Sequence, residues 1–241
     1  ANGEYASVSG GSGNTSSGNG SSISGGASNT ASGIRSSISG GDENTADSSY
    51  ASISGGKYNT ASGNYSSVSG GTLNSANGNF SSVIGGGFNT ANGHYSSVSG
   101  GYGNEASGSV SSVSGGYNNT ASGEYSFVGG GGSDNSAYGN EAYADYSAIL
   151  GGKDNVTGDT TSGNHAIGEG ATVSGGQSNA ASGEDSSVSG GVGNTASNTY
   201  SSVGGGYYNT ASGQCSSVSG GSSRSATGVY DWSAGSLTED Q

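Results

Sequence analysis

The chain has 241 residues, 53 of them glycine, with no proline, no methionine and only 28% hydrophobic residues, too little apolar material for a conventional packed domain. Four basic against 17 acidic side chains give a net charge of -13, which excludes nucleic acid as a partner and opposes anionic membrane surfaces. Low hydrophobicity points towards disorder, but only 9% of residues are charged, so disorder and a repetitive fibrous fold are the two classes left.

Periodicity decides between them. Val8, Ile23, Ile38, Ile53, Val68, Val83, Val98, Val113 and Val128 follow one another every 15 residues, a register that a disordered chain has no reason to keep. The pattern is disturbed around Tyr138 to Ile149 and again around Thr157 to Ala171, then resumes at Val173, Val188, Val203 and Val218. The span from Val128 to Val173 is three periods, so the phase survives; residues 138–171 read as irregular coils or an insertion. No run approaches the roughly 18 apolar residues of a membrane span. Residues 229–241 break the repeat and are expected to form a C-terminal cap, with Trp232 and Leu237 covering the last coil.

One clean unit, Ser111 to Tyr125, reads SSVSGGYNNTASGEY and consists of two similar halves, each a short strand followed by a glycine corner. Alternation across a strand places Asn119, Ala121 and Gly123 on one face and Thr120 and Ser122 on the other, with Val113 inward between outward Ser112 and Ser114. Glycine is expected to supply the backbone conformations of the corners. The fold class that follows is all-β: a single parallel β-solenoid over residues 1–241, with two short strands per coil of about 15 residues. About sixteen such coils, spaced about 4.8 Å apart, predict a rod on the order of 75 Å long.

Asn14, Asn29, Asn44, Asn59, Asn74, Asn89, Asn104, Asn119, Asn179, Asn194 and Asn209 share the face of the alanine and are expected to stack as a structural amide ladder. The Asn-x-Ser/Thr matches at Asn14 and Asn118 arise from the same repeat.

Aromatic residues recur three positions before the aliphatic one, at Tyr5, Tyr50, Tyr65, Phe80, Tyr95, Tyr125, Tyr146 and Tyr200. They form one corner column, either a ladder that protects the corner or a contact stripe. Tyr102, Tyr117, Tyr207, Tyr208, Tyr58 and Phe88 are expected at the opposite corner. Outward Thr15, Thr30, Thr45, Thr60, Thr90, Thr120, Thr195 and Thr210, beside a serine column, make a hydroxyl array of the kind an ice-binding face needs, interrupted by Glu105 and Asp47. The alternative is a merely solvated strand face.

No catalytic, cofactor-binding or metal-ligating residue is assigned. His94 and His165 stand far apart in the chain and outside any nucleophile or metal motif, and the lone Cys215 permits neither an intramolecular disulfide nor a cysteine zinc site. Asp42, Glu43, Asp134, Glu141, Asp145, Asp154 and Asp159 could meet around an ion, but the dense glycine-aspartate repeat of calcium β-rolls is missing, which favours a solvated acidic surface.

Val113, Gly116, Ala121 and Gly123 resemble, in their spacing, the valine, glycine and alanine positions in the left-handed β-roll heads of trimeric autotransporter adhesins. The stretch NHAIGEGAT, Asn164 to Thr172, is closer still, although the repeat here has 15 residues against a usual 14 and Gly115 replaces an isoleucine. The half-repeat Asn119 to Gly123 also resembles the NxVxG motif of ryegrass-type ice-binding β-rolls, with alanine for valine. The first resemblance implies an extracellular or cell-surface module that is non-enzymatic, structural or adhesive, and assembles as a homo-oligomer, trimer or filament. Its expected partner is a cell-surface or extracellular polymer. The second implies ice as the alternative partner.

Overall fold

The computed structural model describes residues 1–235, so Leu237 and its neighbours in 236–241 lie outside the described residues. The chain forms two compact units, Ala1–Gly116 and Tyr117–Gln241, and each is built as an all-β parallel solenoid.

In residues 1–116 the aliphatic strands run from Ser7–Val8 to Ser112–Val113, and each pairs in parallel with its counterpart in the next coil, as in Ser52↔Ser67 and Ile53↔Val68. The alanine strands, Thr15–Ser16 to Glu105–Ala106, form a second sheet in the same way, as in Thr45↔Thr60 and Ala46↔Ala61. Each strand is only two residues long because each coil must turn back on itself within one short period. A third ladder, of single parallel bridges, links Ser12, Ala27, Asp42, Lys57, Thr72, Gly87 and Tyr102 in succession, a pairing that the two-strand reading of the repeat did not anticipate.

The interior is narrow. Each regular coil buries one Val or Ile and one Ala, such as Val68 and Ala61, and the aliphatic side chain contributes on the order of 1.5–3 kcal/mol. Polar columns complete it. Asn59 Nδ2 donates to Gly55 O (3.1 Å) within its own coil and to Gly71 O (3.0 Å) in the next, while its Oδ1 accepts the backbone N–H of Asn74 (3.0 Å). The asparagines therefore staple corner to corner, and the ladder expected from the sequence is present, with Asn140 and Asn155 as further rungs. A buried serine column adds another layer: Ser96 and Ser111 donate to the carbonyls of Gly93 (2.8 Å) and Gly108 (2.7 Å). Where Ser16 and Thr157 replace the inward alanine, their hydroxyls pair with that column at Ser21 (2.6 Å) and Ser147 (2.7 Å).

The two corners of a coil differ: after the aliphatic strand glycine takes left-handed φ as expected, at Gly41 (φ 93), Gly56 (φ 89) and Gly71 (φ 87), whereas after the alanine strand it does not. At Gly63 φ is not positive; glycine is needed there because a Cβ would collide with the backbone carbonyl of Gly78 in the next coil. At this second corner the left-handed position is held by other residues, among them Tyr50 (φ 60), Tyr65 (φ 59) and Phe80 (φ 59). Glycine thus turns the chain at the first corner and sets how closely coils approach at the second.

In residues 117–235 the regular offset is interrupted twice. Val128 pairs with Ile149, and Ile149 in turn with Val173, both longer steps than the regular one. The surplus is six and then nine residues, together one full period, so two coils occupy a span that the repeat arithmetic assigns to three. This corrects the coil count downwards, to about fifteen turns of chain. The six extra residues form an excursion containing a short 3-10 turn, Ser136–Tyr138, started by Asn135 Oδ1 accepting the N–H of Ala137 (3.1 Å). The nine extra residues lie within 158–170. Near the end of the described chain, Trp232 takes the outward place opposite Ser217 and donates Nε1–H to Ser219 Oγ (2.9 Å), while Ser233 takes the inward place of the valine.

Candidate functional site

The corner aromatics form a stacked column over part of the repeat. Ring centroids of Tyr50 and Tyr65 lie 4.6 Å apart, Tyr65 and Phe80 5.0 Å, and Phe80 and Tyr95 4.8 Å, with planes within 9° of parallel. Left-handed φ costs a non-glycine residue about 1–3 kcal/mol. Two features offset that cost. The Tyr50 N–H donates to Ile34 O in the preceding coil (2.8 Å), and each stacked pair contributes about 0.5–1.5 kcal/mol. Arg35 closes one end, its Nη1 donating to the Tyr50 hydroxyl (2.8 Å). Because ring faces cover one another, the column shows solvent its edges and hydroxyls, and Tyr95 remains 54% exposed.

The other predicted members stand apart. Tyr5 is 83% exposed, and Gly20 and Arg35 fill the places between it and Tyr50. Tyr125 and Tyr146 stack at 5.0 Å; Gly170 and Asp185 then separate them from Tyr200. The Tyr146 phenol is pushed above its usual pKa, first by desolvation and then by the charges of Glu124, Tyr125, Glu169 and Asp145, so this part of the column sits in an acidic setting.

The second aromatic group occupies two adjacent columns. Tyr102, Tyr117 and Tyr207 lie on the bridge ladder, whereas Tyr58, Phe88 and Tyr208 hold the next, left-handed position. Beside Tyr58, Lys57 is paired with Asp42 at 2.9 Å and lies 4.7 Å from the ring centroid; the Asp42 hydrogen bond and charge hold its pKa above the usual lysine value.

The threonine array is brought into register in one stretch. Thr15, Thr30, Thr45 and Thr60 stand directly opposite one another on successive strands, followed by Ser75 and Thr90, and Glu105 ends the run. Thr120 is isolated from Thr195 and Thr210 by Glu141, Val156 and Ala180.

The nine-residue addition is a constructed wall. Asp159 Oδ1 accepts from Thr161 N (2.9 Å) and Oγ1 (2.6 Å), holding its carboxyl below the usual range, and Asn164 Oδ1 accepts from Ala166 N (3.1 Å). His165 stacks on Tyr143 with centroids 4.1 Å apart, its Nδ1 hydrogen-bonds Tyr143 O (2.5 Å), and Asp145 N–H donates to His165 O (2.9 Å). Between this wall and the next coils lies an open groove of about 400 Å³, lined by Gly158, Asp159, Thr160, Ile167, Ala180, Ser182 and Ser197. Nothing in the sequence flagged it, because it depends on how the irregular segment folds back. The acidic residues weighed as ion ligands are not gathered: among the described residues no group of three His, Cys, Asp or Glu side chains is placed to hold a metal. A scan against protein-family models and a search of curated proteins match nothing to this chain.

Proposed function

We propose that the chain is a non-enzymatic, extracellular structural or adhesive module, adhesin-head-like or fibre-forming, that presents repeated surface columns for multivalent contact. The observation that carries this reading is the stack Tyr50, Tyr65, Phe80 and Tyr95, which offers four exposed aromatic edges at fixed spacing with their side chains already ordered. Ordered groups lose little entropy on binding, and repeated weak contacts raise avidity by linking successive binding events. The partner is a cell-surface or extracellular polymer, or further copies of the chain in a trimer or filament. With a net charge of -13 on each copy, self-association should strengthen as salt screens the repulsion. Sedimentation and adsorption to cells and matrix polymers test the reading. Tyr65→Ser with Tyr95→Ser should weaken adsorption or assembly by about tenfold, equivalent to about 1.4 kcal/mol. A wild-type protein that stays monomeric at all salt concentrations and adsorbs to nothing would sink it.

A second reading, ice binding, is favoured by the register of Thr15, Thr30, Thr45 and Thr60. It expects thermal hysteresis or inhibition of ice recrystallisation that disappears in Thr30→Lys/Thr45→Lys. Inactivity of the unmodified protein in both assays disposes of it.

A further inference from the structure

The groove beside residues 158–170 is walled on one side by the nine-residue addition. The wall is held at several points: by the Asp159 turn, by His165 on Tyr143, and by Gly170 N–H donating to Asp145 O (3.0 Å). At its root a Cβ on Gly158 would meet Ala144 and Ile167 O, so the segment lies tight against the preceding coil. The floor is altered to match. Among the described residues, the outward column that elsewhere carries Thr, Ser, Glu or Val has alanine only at Ala180, and Ala180 lines the groove. A threonine there would place two further heavy atoms in the space.

The lining has a definite chemistry. Asp159 offers a carboxylate, an acceptor, with Thr161 occupying only Oδ1; Thr160, Ser182 and Ser197 offer hydroxyls that both donate and accept; Ile167, 38% exposed, and Ala180 offer an apolar side. No cationic residue is in the lining, so an anionic ligand would meet Asp159 unpaired. A volume of about 400 Å³ falls in the range of small-molecule sites. An uncharged ring with C–H groups on one side and hydroxyls around its rim satisfies all three kinds of lining group. We propose that this groove binds a neutral sugar residue, its hydroxyls bonded to Asp159, Ser182 and Ser197 and its C–H face against Ile167 and Ala180. The biological use of the site rests on the display reading, which it deepens by naming the ligand class.

The test titrates the full chain with neutral monosaccharides and disaccharides of glucose, galactose, mannose and N-acetylglucosamine, by calorimetry and by amide chemical shifts. Ala180→Leu, which fills the groove from an outward position, should abolish binding. Asp159→Asn, which keeps an oxygen to accept from Thr161, should weaken it about tenfold. Ile167→Ser should also weaken it, and serves if Ala180→Leu fails to fold as judged by circular dichroism. Tyr65→Ser/Tyr95→Ser should leave sugar affinity unchanged. Binding that survives both Ala180→Leu and Ile167→Ser, or no binding of any of these sugars, overturns the proposal. In the latter case, adsorption that still depends on Tyr65 and Tyr95 would leave the display reading standing.

Discussion

Regular coils in residues 1–116 and the enlarged coils between Val128 and Val173 share nearly the same inward residues, Thr157 standing in for one alanine, yet they use their length differently. In the first region every regular coil meets a near-copy of itself one period away, so a column can bond along its own length: Asn44 Oδ1 accepts the backbone N–H of Asn59, and Asn59 Oδ1 accepts that of Asn74. In the second, extra residues have no counterpart and close on themselves through short polar turns, as Asp159 does with Thr161 and Asn164 with Ala166. Repetition therefore yields ladders, and departure from it yields a local, shaped surface.

Substitution separates the two regimes. The largest effect is expected at Asn74→Ala, which leaves the half-buried carbonyls of Gly70 and Gly86 and the buried N–H of Asn89 without their side-chain partner. Urea denaturation should show a loss of about 4 kcal/mol, several times that of Asn164→Ala in the exposed addition. Next comes Gly63→Ala, whose Cβ would meet the Gly78 carbonyl; a loss of about 3 kcal/mol is expected. Gly163→Ala, with nothing near its Cβ and only a φ of 69 to pay for, should cost about 1 kcal/mol. Equal losses at Gly63 and Gly163 would mean that coil spacing is not what glycine enforces. Smallest is Glu141→Gln, in the outward column of an enlarged coil. Burial raises the Glu141 pKa, against a lowering by His165, so the folded state favours the acid form. That preference is fully present below the ordinary carboxyl range and is lost as pH rises through the raised value. The glutamine variant should consequently be more stable than wild type at neutral pH, with the gain shrinking as pH falls; a gain that grows on acidification would contradict the sign.

Much of this was readable from the residues. Spacing alone located the Val or Ile, Ala and Asn columns, because burial on a repeating coil forces the same residue type to recur. Asn140 and Asn155 escaped because they follow the first of the long steps, and the count of three periods between Val128 and Val173 concealed two longer coils. The serine before each outward serine could not be recognised as buried, since Ser111 and Ser112 are the same residue type in opposite environments. Left-handed tyrosines defied residue preference: the repeat imposes that conformation on whatever residue fills the place, as at Arg35 (φ 55) and Val110 (φ 59), each held by an N–H bond to the preceding coil. The corner column of the candidate surface was visible by position, but its stacking and the groove were not, as both need three-dimensional neighbours.

The unequal coil lengths also bear on how the chain finds its pairing during folding. Uniform steps make every closure equally cheap, and lengthening one by nine residues adds only about 0.4 kcal/mol of loop entropy. Yet in residues 1–116 a strand that skipped its neighbour and paired with the coil beyond would still set an aliphatic residue against an aliphatic one and threonine against threonine. Near-identical coils are poor at telling right partners from wrong ones. The enlarged coils, whose turns fit only one set of neighbours, serve as punctuation in an otherwise monotonous text, fixing the reading frame from which the adjoining coils can be laid down in order.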